Sequence, residues 1–432
     1  MELHTLKDAE RYLEGFLNRE RKVDFDYARL GTRRIRALLE AVGEPQRGLP
    51  CVHIAGSKGK GTVALTGEAL LRAAGRRVGT FTSPHLEGWC ERFRIDGQTT
   101  QPAELLEALR LLVPSIESLR LDGELRPSFF DVCTALALVL FRSARVDVGV
   151  FEVGIGGRLD STNVVESRVS VLTVVELEHT DKLGTTRAEI AGEKAGIFKP
   201  GIPVVHGPLH PDAHSVVLAR GAALALPMER VEAIDVRIRP EGSDFALPDG
   251  RRVRARVFGA HLANDVALAI RACELWLGRS LESRELASLR SVGLPARVEP
   301  IGSGILDSAH TEESARALRK SLETLHPGIR FVTIVSIARD KDARAILREI
   351  APVTRQLILC EAEPLRSAPA DELSRLARSC AFEDVQIVRD PLQALEVARS
   401  SLHPDERLLV TGSFYLAGAL RSRLLASANL AG

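Results

Sequence analysis

The sequence predicts an α/β protein, because apolar strand-like segments alternate with amphipathic helical patterns along most of its 432 residues. A short apolar segment, Cys51–Ala55, runs through a glycine-rich turn into a long helical pattern at 63–74. The segments Val146–Val153 and Val169–Val175 are rich in β-branched residues, as is typical of strands buried on both faces of a parallel sheet. Beyond residue 300, strands and helices alternate regularly, which predicts a second parallel sheet with crossover helices.

The other elements follow from the same patterns. Residues 5–42 show helical spacing, and further helices are predicted at about 102–119, 128–141, 187–198, 259–276 and 281–291. A strand is predicted at 77–81, and short strands at about 229–257. In the C-terminal part, strands are predicted at about 304–307, 330–336, 355–360, 384–388 and 407–411, with helices at 312–325, 341–350, 369–380, 390–402 and from 414. The Gly- and Pro-containing segment 293–297 predicts a boundary between domains 1–292 and 293–432.

Composition and charge exclude several classes of protein. The 58 Lys and Arg residues nearly balance the 57 Asp and Glu residues, so no global field favours nucleic acid or a membrane surface. No apolar segment reaches the roughly 20 residues that a membrane span needs, and the charged N-terminus lacks a signal-peptide core. The 6 scattered cysteines form no CxxC pair and are typical of core residues in a reducing compartment. We therefore expect a cytoplasmic monomer whose partners are small molecules, not nucleic acid or membrane.

A glycine-rich turn after the first predicted strand is suited to hold phosphate. Gly56, Gly59 and Gly61 lack Cβ atoms, so the backbone can curl and direct N–H groups at an anion. The N-terminus of the next helix adds partial positive charge, Lys60 can reach the β- and γ-phosphates, and the Thr62 hydroxyl can bind Mg²⁺. The turn therefore predicts nucleotide binding. The general P-loop pattern expects another glycine upstream and a hydroxyl directly after the lysine, so a plain glycine-rich turn with solvated lysines is the alternative.

Polar side chains follow three other predicted strands, at the edge where open α/β sheets bind ligands. Thr82-Ser83-Pro84-His85 follows the strand at 77–81, although a plain turn would give the same pattern. Glu152 lies at the end of an apolar strand, where a carboxylate can hold Mg²⁺ beside phosphates; a salt-bridged glutamate is the alternative. Glu178 and His179 follow the next strand and could ligate a metal, whereas the helical neighbours of Lys194 predict a surface charge.

Several motifs, taken in order, resemble one family. They are His53–Thr62, Thr82–Leu86 with Glu91-Arg92, Phe151–Asn163, His179–Gly184, Glu193–Ile197, Pro295–Glu299, Asp307–His310 and Thr411–Tyr415. Together they closely resemble the folylpolyglutamate synthase/dihydrofolate synthase family of the Mur ligase superfamily, over about residues 30 to 425. The segment Phe151–Asn163 is specific to that family, whereas the glycine-rich turn alone is not.

The resemblance implies a P-loop, Mur-ligase-like N-terminal domain with a mostly parallel sheet, and a smaller Rossmann-like C-terminal glutamate-ligase domain. It also implies an ATP-dependent ligase that adds L-glutamate to dihydropteroate, to reduced folates, or to both, using ATP and two Mg²⁺ ions. Transfer of the γ-phosphoryl group would turn a substrate carboxylate into an acyl phosphate, which an amine can attack. Such a transfer depends chiefly on positioning and charge neutralisation.

The same resemblance assigns roles to individual residues. It implies that Gly56–Thr62 hold ATP with Lys60 on the phosphates, that Ser83, Glu152 and His179 bind Mg²⁺, and that Lys194 is carbamylated to complete a metal site. It further implies ATP contacts from Asn264, Arg297 and Asp307, a pterin-side segment of Ser128, Phe129, Phe130 and Asp131, and glutamate contacts from His310 and Ser413. Lys60, His179, Lys194 and His310 would carry the catalysis.

The chain departs from the family pattern at five positions. The family loop usually reads Gly-Thr-Asn-Gly-Lys-Gly, whereas Ser57 and Lys58 stand here, and Glu178 replaces an aspartate. The family's Asp-Gly-Ala-His-Asn reads Asp-Ser-Ala-His-Thr here, with Ser308 and Thr311 as the differing residues. Two alternatives stay open. One is a Mur-type ligase acting on a cell-wall precursor, against which the Thr-Ser-Pro-His-Leu and Ser-Phe-Phe segments argue. The other is a non-catalytic nucleotide-binding homologue, which the departures at Lys58 and Thr311 would support.

Overall fold

The computed structural model describes residues 3–16, 27 and 30–430, without the side chains of the last two. Among these residues the chain forms two compact units, and the predicted α/β class is confirmed. Unit 1 takes the described residues of Met1–Ile234, Ala246–Val253 and Asn264–Val292; unit 2 takes those of Asp235–Phe245, Arg254–Ala263 and Gly293–Gly432. The predicted helical region 5–42 is described only in part, since 17–26 and 28–29 lie outside the described residues.

Seventeen labels name the strands in chain order. They are β1 (Pro50–Ala55), β2 (Val78–Phe81), β3 (Phe93–Ile95), β4 (Gln98–Thr99), β5 (Val148–Glu152), β6 (Glu166–Leu172), β7 (Val204–His206), β8 (Met228–Arg230), β9 (Ile234–Arg239), β10 (Gly242–Ala246), β11 (Arg252–Ala255), β12 (Glu299–Ile301), β13 (Gly304–Leu306), β14 (Phe331–Val335), β15 (Thr354–Leu359), β16 (Asp384–Ile387) and β17 (Arg407–Thr411).

The α-helices are labelled in the same way. They are α1 (Leu6–Glu14), α2 (Arg33–Ala41), α3 (Lys60–Ala73), α4 (Pro102–Arg120), α5 (Phe129–Ser143), α6 (Thr180–Leu183), α7 (Arg187–Lys194), α8 (Pro211–Ala223), α9 (Ala260–Leu277), α10 (Ser283–Leu286), α11 (Glu312–Leu325), α12 (Ala343–Ile350), α13 (Ala370–Arg378), α14 (Pro391–Ser401) and α15 (Phe414–Leu430). Among the described residues, no helix combines the length and the apolar character that crossing a membrane requires.

Unit 1 contains an eight-stranded sheet in the order β4-β3-β2-β5-β1-β6-β7-β8. The six strands from β2 to β8 in this order run parallel, and β3 and β4 form an antiparallel edge. The central strands are buried on both faces, as their apolar sequences predict. The antiparallel edge at 93–99 is not among the predicted strands, because these segments are two or three residues long.

The regular part of unit 2 is a six-stranded sheet in the order β12-β13-β17-β14-β15-β16. Its five parallel strands agree with the predicted ones to within one residue at each end, since each is a short apolar segment between helices. The added strand β12 pairs antiparallel with β13. The predicted short strands at 229–257 are confirmed as β8 and the three-stranded sheet β11-β10-β9.

Candidate active site

The glycine-rich turn joins β1 to α3 and is shaped by close packing at two glycines. Gly59 has φ 84°, and a Cβ added there would lie 2.2 Å from a carboxylate oxygen of Asp265. A Cβ on Gly56 would lie 1.7 Å from the Thr173 hydroxyl oxygen. Larger residues at either position would therefore displace the turn from its neighbours. Asp265 and Thr173 lie outside the motifs of the sequence.

Hydrogen bonds fasten this turn to the segment that follows β6. The Ser57 amide donates to the Val174 carbonyl (2.8 Å), and the Glu176 amide donates to the Ser57 hydroxyl (2.9 Å). The Thr173 hydroxyl donates to the Lys58 carbonyl (2.5 Å). Ser57, which replaces the family's threonine, thus uses its hydroxyl to fix the backbone.

Two side chains at the start of α3 have the chemistry that phosphate binding needs. The Lys60 ammonium lies over the turn and donates to the Gly56 carbonyl at 3.0 Å. Thr62 is 1% exposed, and its hydroxyl oxygen makes no hydrogen bond to the described residues. Burying a hydroxyl without a partner costs free energy, so the position fits a ligand oxygen or a metal ion.

The sheet register places Glu152 beside the turn. Glu152 pairs with Ile54 on the neighbouring β1, so it lies at the carboxyl edge from which the turn leaves. Its carboxylate is buried and accepts the Ser83 amide at 3.1 Å. Ser83 follows β2, the strand on the other side of β5. Two of the predicted metal ligands are therefore together, and both offer oxygen atoms, which Mg²⁺ prefers.

Lys194 is buried, so the sequence interpretation of it as a surface charge is wrong. It ends α7, its side chain is 2% exposed, and its ammonium donates to the Gly56 carbonyl (3.0 Å) and to Glu178 Oε1 (3.1 Å). The helical neighbours could not show this, because both partners are distant in sequence. Burial lowers the pKa of Lys194 to about 8, against the opposing effect of Glu178.

Glu178 lies among cations. Its second oxygen is 3.4 Å from the Lys58 ammonium, and its side chain is 9% exposed. Burial alone would raise the pKa of Glu178, but Lys194, Lys58, Lys60 and His179 hold it well below its usual range. His179 follows directly, in the left-handed region at φ 48°, and its residue is exposed. Among the described residues, three or more His, Cys, Asp or Glu side chains do not converge into a group that could hold a metal.

The family-specific segment Phe151–Asn163 positions the end of α7. Arg158 makes a two-armed ion pair with Glu193 (2.8 and 3.1 Å), and its amide donates to the Glu193 carbonyl. Tyr27 donates its hydroxyl proton to the same carboxylate at 3.0 Å. A Cβ on Gly157 would lie 2.8 Å from the Lys194 carbonyl oxygen, so the two backbones touch. These contacts fix the residue that precedes the buried lysine.

Two of the four predicted pterin-side residues cap a helix. The Ser128 hydroxyl accepts the Asp131 amide (3.3 Å), while Asp131 Oδ2 accepts the Ser128 amide (2.8 Å), which forms a capping box at the start of α5. The other Asp131 oxygen accepts the Ser161 hydroxyl at 2.6 Å. The observed contacts of Ser128 and Asp131 are thus with the protein itself.

The two phenylalanines between them face different neighbours. Phe129 lies under the Arg92 guanidinium at 5.3 Å, and Arg92 Nε donates to His85 Nδ1 at 2.9 Å. The ring of Phe130 lies against Gly154, where a Cβ would come within 2.7 Å of it. Phe130 therefore reaches the start of the family-specific segment, and through it the Glu152 side of the sheet.

Unit 2 brings together three predicted residues around Ser308. Asp307 follows β13, accepts the amides of Val298 (2.8 Å) and Ala309 (2.7 Å), and is buried, which raises its pKa to about 6. Arg297 donates to the Ser308 hydroxyl at 3.1 Å. The ring of His310 contacts the Ser308 carbonyl through Nδ1 at 2.7 Å. Because a carbonyl only accepts, Nδ1 carries the proton, which makes Nε2 the basic nitrogen.

Ser413 follows β17, which pairs with β13, so it lies at the same edge as Asp307. Its hydroxyl accepts the Leu416 amide at 3.0 Å, and the neighbouring Phe414 ring lies 5.2 Å beneath the Arg297 guanidinium. In unit 1, Asn264 on α9 accepts the Ala233 amide at 2.8 Å and directly precedes Asp265 at the turn. The polar pair at 264–265, which lies between the apolar residues 262–263 and 266–270 of α9, was the signal that could have identified Asp265.

Comparisons with known proteins agree with this geometry. Residues 296–414 match the family model described as "Mur ligase, glutamate ligase domain". The curated dihydrofolate synthase/folylpolyglutamate synthase of Mycobacterium tuberculosis is 32% identical over 432 aligned residues, covering 90% of this chain and 89% of the relative. The chain belongs to this family. The family and the ligase class predicted from the sequence are therefore confirmed.

Solved structures of the family share the whole fold. The M. tuberculosis folylpolyglutamate synthase, complexed with ADP and AMPPCP, superposes with a TM-score of 0.88 at 31% identity and covers 97% of this chain and 98% of its own. E. coli FolC, in complex with DHPP and ADP, gives a TM-score of 0.84 at 27% identity, covering 98% of both chains. Nucleotide complexes are thus known for homologues of this ligase.

Proposed function

We propose that this ligase adds L-glutamate to dihydropteroate, to reduced folates, or to both, at the expense of ATP. The observation that supports this best is the group of Lys60, Lys194 and Glu178 packed on the glycine-rich turn. Residues 1–292 would bind ATP, and residues 293–432 would serve as the glutamate-ligase domain.

The turn would bind the ATP phosphates through its backbone N–H groups and the N-terminus of α3. Lys60 would exchange its hydrogen bond to the Gly56 carbonyl for the transferring phosphoryl group, while Gly61, Ser57 and Lys58 complete the cradle. A substrate carboxylate oxygen then bonds to the γ-phosphorus and ADP leaves, which yields an acyl phosphate. Little covalent help is needed, since charge neutralisation dominates such transfers.

The oxygen donors of this edge fit Mg²⁺. Glu152 and Ser83 are in contact, and the buried Thr62 hydroxyl has no hydrogen-bond partner among the described residues, so these three would hold an ion. When bound, Mg²⁺ would neutralise phosphate charge. His179 would belong to a second site, which we propose Lys194 completes.

Lys194 fits such a site only after modification, because an ammonium group repels a metal ion and has no lone pair. The neutral amine can add CO₂: a nitrogen–carbon bond forms, a proton is released, and the resulting carbamate is an anion. A pKa of about 8 makes the neutral amine accessible near neutral pH.

The glutamate amine would attack the acyl phosphate carbonyl, release phosphate and lose a proton. His310 suits the acceptor role because its Nδ1 proton is committed to the Ser308 carbonyl, which makes Nε2 basic. Ser413 would contact the glutamate, and Asn264, Arg297 and Asp307 would contact ATP. Phe129 and Phe130, with the capped Ser128–Asp131 turn, would line the pterin side.

An ATP hydrolysis assay tests this proposal. With Mg²⁺, we expect ADP release that needs both L-glutamate and either dihydropteroate or tetrahydrofolate, and a product heavier by one glutamyl group. Activity with a UDP-linked acceptor instead would favour the cell-wall ligase. ADP binding without turnover on any acceptor would identify a non-catalytic homologue.

A further inference from the structure

Lys58 of the glycine-rich turn and Glu178 form an ion pair. The Lys58 ammonium lies 3.4 Å from Glu178 Oε2, although the two residues are 120 positions apart in the chain. A positive charge on the turn after β1 thus meets a carboxylate on the segment that follows β6.

Each oxygen of Glu178 has its own cation. Oε1 lies 3.1 Å from Lys194 and Oε2 lies 3.4 Å from Lys58, so the carboxylate bridges the two lysines. The exposed fraction of the side chains falls along this bridge, from 24% at Lys58 through 9% at Glu178 to 2% at Lys194. An ion pair at this depth is weakly screened, so removal of one partner is costly.

The bridge also sets where the neighbouring ammonium groups lie. The Gly56 carbonyl accepts from both Lys194 and Lys60, each at 3.0 Å, so these two cations share one acceptor. Glu178 is the carboxylate that contacts Lys194 and offsets their mutual repulsion. With an aspartate at 178 the carboxylate would be one methylene shorter and could not span both lysines in these positions.

We propose that Lys58 and Glu178 form one positioning pair, which holds the unmodified Lys194 ammonium against the Gly56 carbonyl. Lys58 is thus a positioning residue that acts through Glu178, in addition to any contact of its backbone with phosphate. The inference rests on the proposed function, in which Lys60 and Lys194 serve the ligase reaction. It predicts that positions 58 and 178 have to change together.

A double-mutant cycle tests the pair. Lys58→Asn leaves Glu178 with a single cation, and Glu178→Asp leaves Lys58 as a surplus cation beside Lys60 and Lys194. We expect each single variant to lower kcat by about tenfold or more. The double variant should lie within about threefold of wild type, because its shorter carboxylate has to reach Lys194 alone. Lys58→Arg keeps the cation and should lose less activity than Lys58→Asn.

The matched control is Lys341→Met. Lys341 pairs with Asp340 at 2.8 Å and its side chain is 20% exposed, close to the exposure of Lys58, but it lies in unit 2. Its loss should leave kcat unchanged. If the effects of Lys58→Asn and Glu178→Asp multiply in the double variant, or if Lys58→Asn alone is as active as wild type, the pair is refuted.

The dissociation constant of ADP, measured by calorimetry on the same four proteins, separates the two proposals. We expect weaker ADP binding in both single variants and recovery in the double variant. A wild-type protein without ligase turnover would refute the proposed function, while recovery of ADP binding would still support the pair. If Lys58→Asn and Glu178→Asp changed the dissociation constant of ADP independently of each other, the pair would be refuted even in an active ligase.

Discussion

The ammonium nitrogen of Lys194 lies 3.0 Å from the carbonyl oxygen of Gly56, a residue 138 positions earlier in the chain. This contact joins the end of α7 to the turn that follows β1. The same carbonyl accepts from Lys60. A ligand phosphate that draws Lys60 away from Gly56 would therefore leave Lys194 as the remaining donor, which couples the phosphate turn to the buried lysine.

Lys60→Ala should lower kcat by about a hundredfold or more, the scale of lost electrostatic stabilisation of a transition state. The ammonium would be the group that neutralises the transferring phosphoryl charge. Steady-state kinetics with saturating ATP measures the effect, and Lys320→Ala, on an exposed lysine of α11, is the control. Turnover of Lys60→Ala within about threefold of wild type would remove Lys60 from the phosphate site.

Glu152→Gln should raise the Mg²⁺ concentration needed for half-maximal turnover by at least about tenfold. Loss of a residue that only hydrogen-bonds to a metal ligand already lowers metal affinity by about this factor. The amide oxygen can still accept the Ser83 amide, so the local backbone should persist. A magnesium titration measures the shift. An unchanged titration would mean that Glu152 serves the structure alone.

Gly59→Ala should weaken ADP binding and lower the free energy of unfolding by more than Gly75→Ala does. Both glycines have positive φ, 84° and 77°, so each alanine costs about 1–2 kcal/mol of backbone strain. Only at Gly59 would the new Cβ also meet the Asp265 carboxylate, whereas nothing lies within 4 Å at Gly75. Equal losses in denaturant unfolding and equal ADP affinities would contradict the packing role of Asp265.

The fold was predictable because its signals are local. The apolar segment 51–55 and the turn after it predicted β1 and the start of α3. The five parallel strands of the large sheet in unit 2 were predicted to within one residue at each end. Two-residue and three-residue strands such as β4 and β12 carry too few residues for a period-two pattern.

The candidate site was harder to predict from the sequence, because its contacts join residues that are distant in the chain. Nothing beside Lys194 in the sequence shows that Glu178 and Gly56 enclose it, because helical spacing reports only on neighbours within one or two turns. The family resemblance did point to Lys194, but only because the residue lies in a motif that matches the family pattern. Asp265 and Thr173 act by filling the space above glycines, and no motif records that.

Lys194→Ala should be inactive, and short carboxylic acids added to it should restore part of the activity by supplying the missing anion. In wild type, activation by added bicarbonate should grow from about pH 6.5 to about pH 8.5. The reason is that CO₂ adds only to the neutral amine, and its fraction rises as the pH passes the Lys194 pKa of about 8. Mass spectrometry of the intact protein at the higher pH should show the added CO₂.

Lys194→Arg is the informative control for this prediction, because it keeps a cation beside Glu178 but cannot form the carbamate. Carboxylic acids should not rescue it, since a guanidinium group would occupy the space of the added anion. Rescue of Lys194→Arg to the level of Lys194→Ala would show that the acids act elsewhere. Full activity of Lys194→Ala would reduce the buried lysine to a structural partner of Glu178 and Gly56.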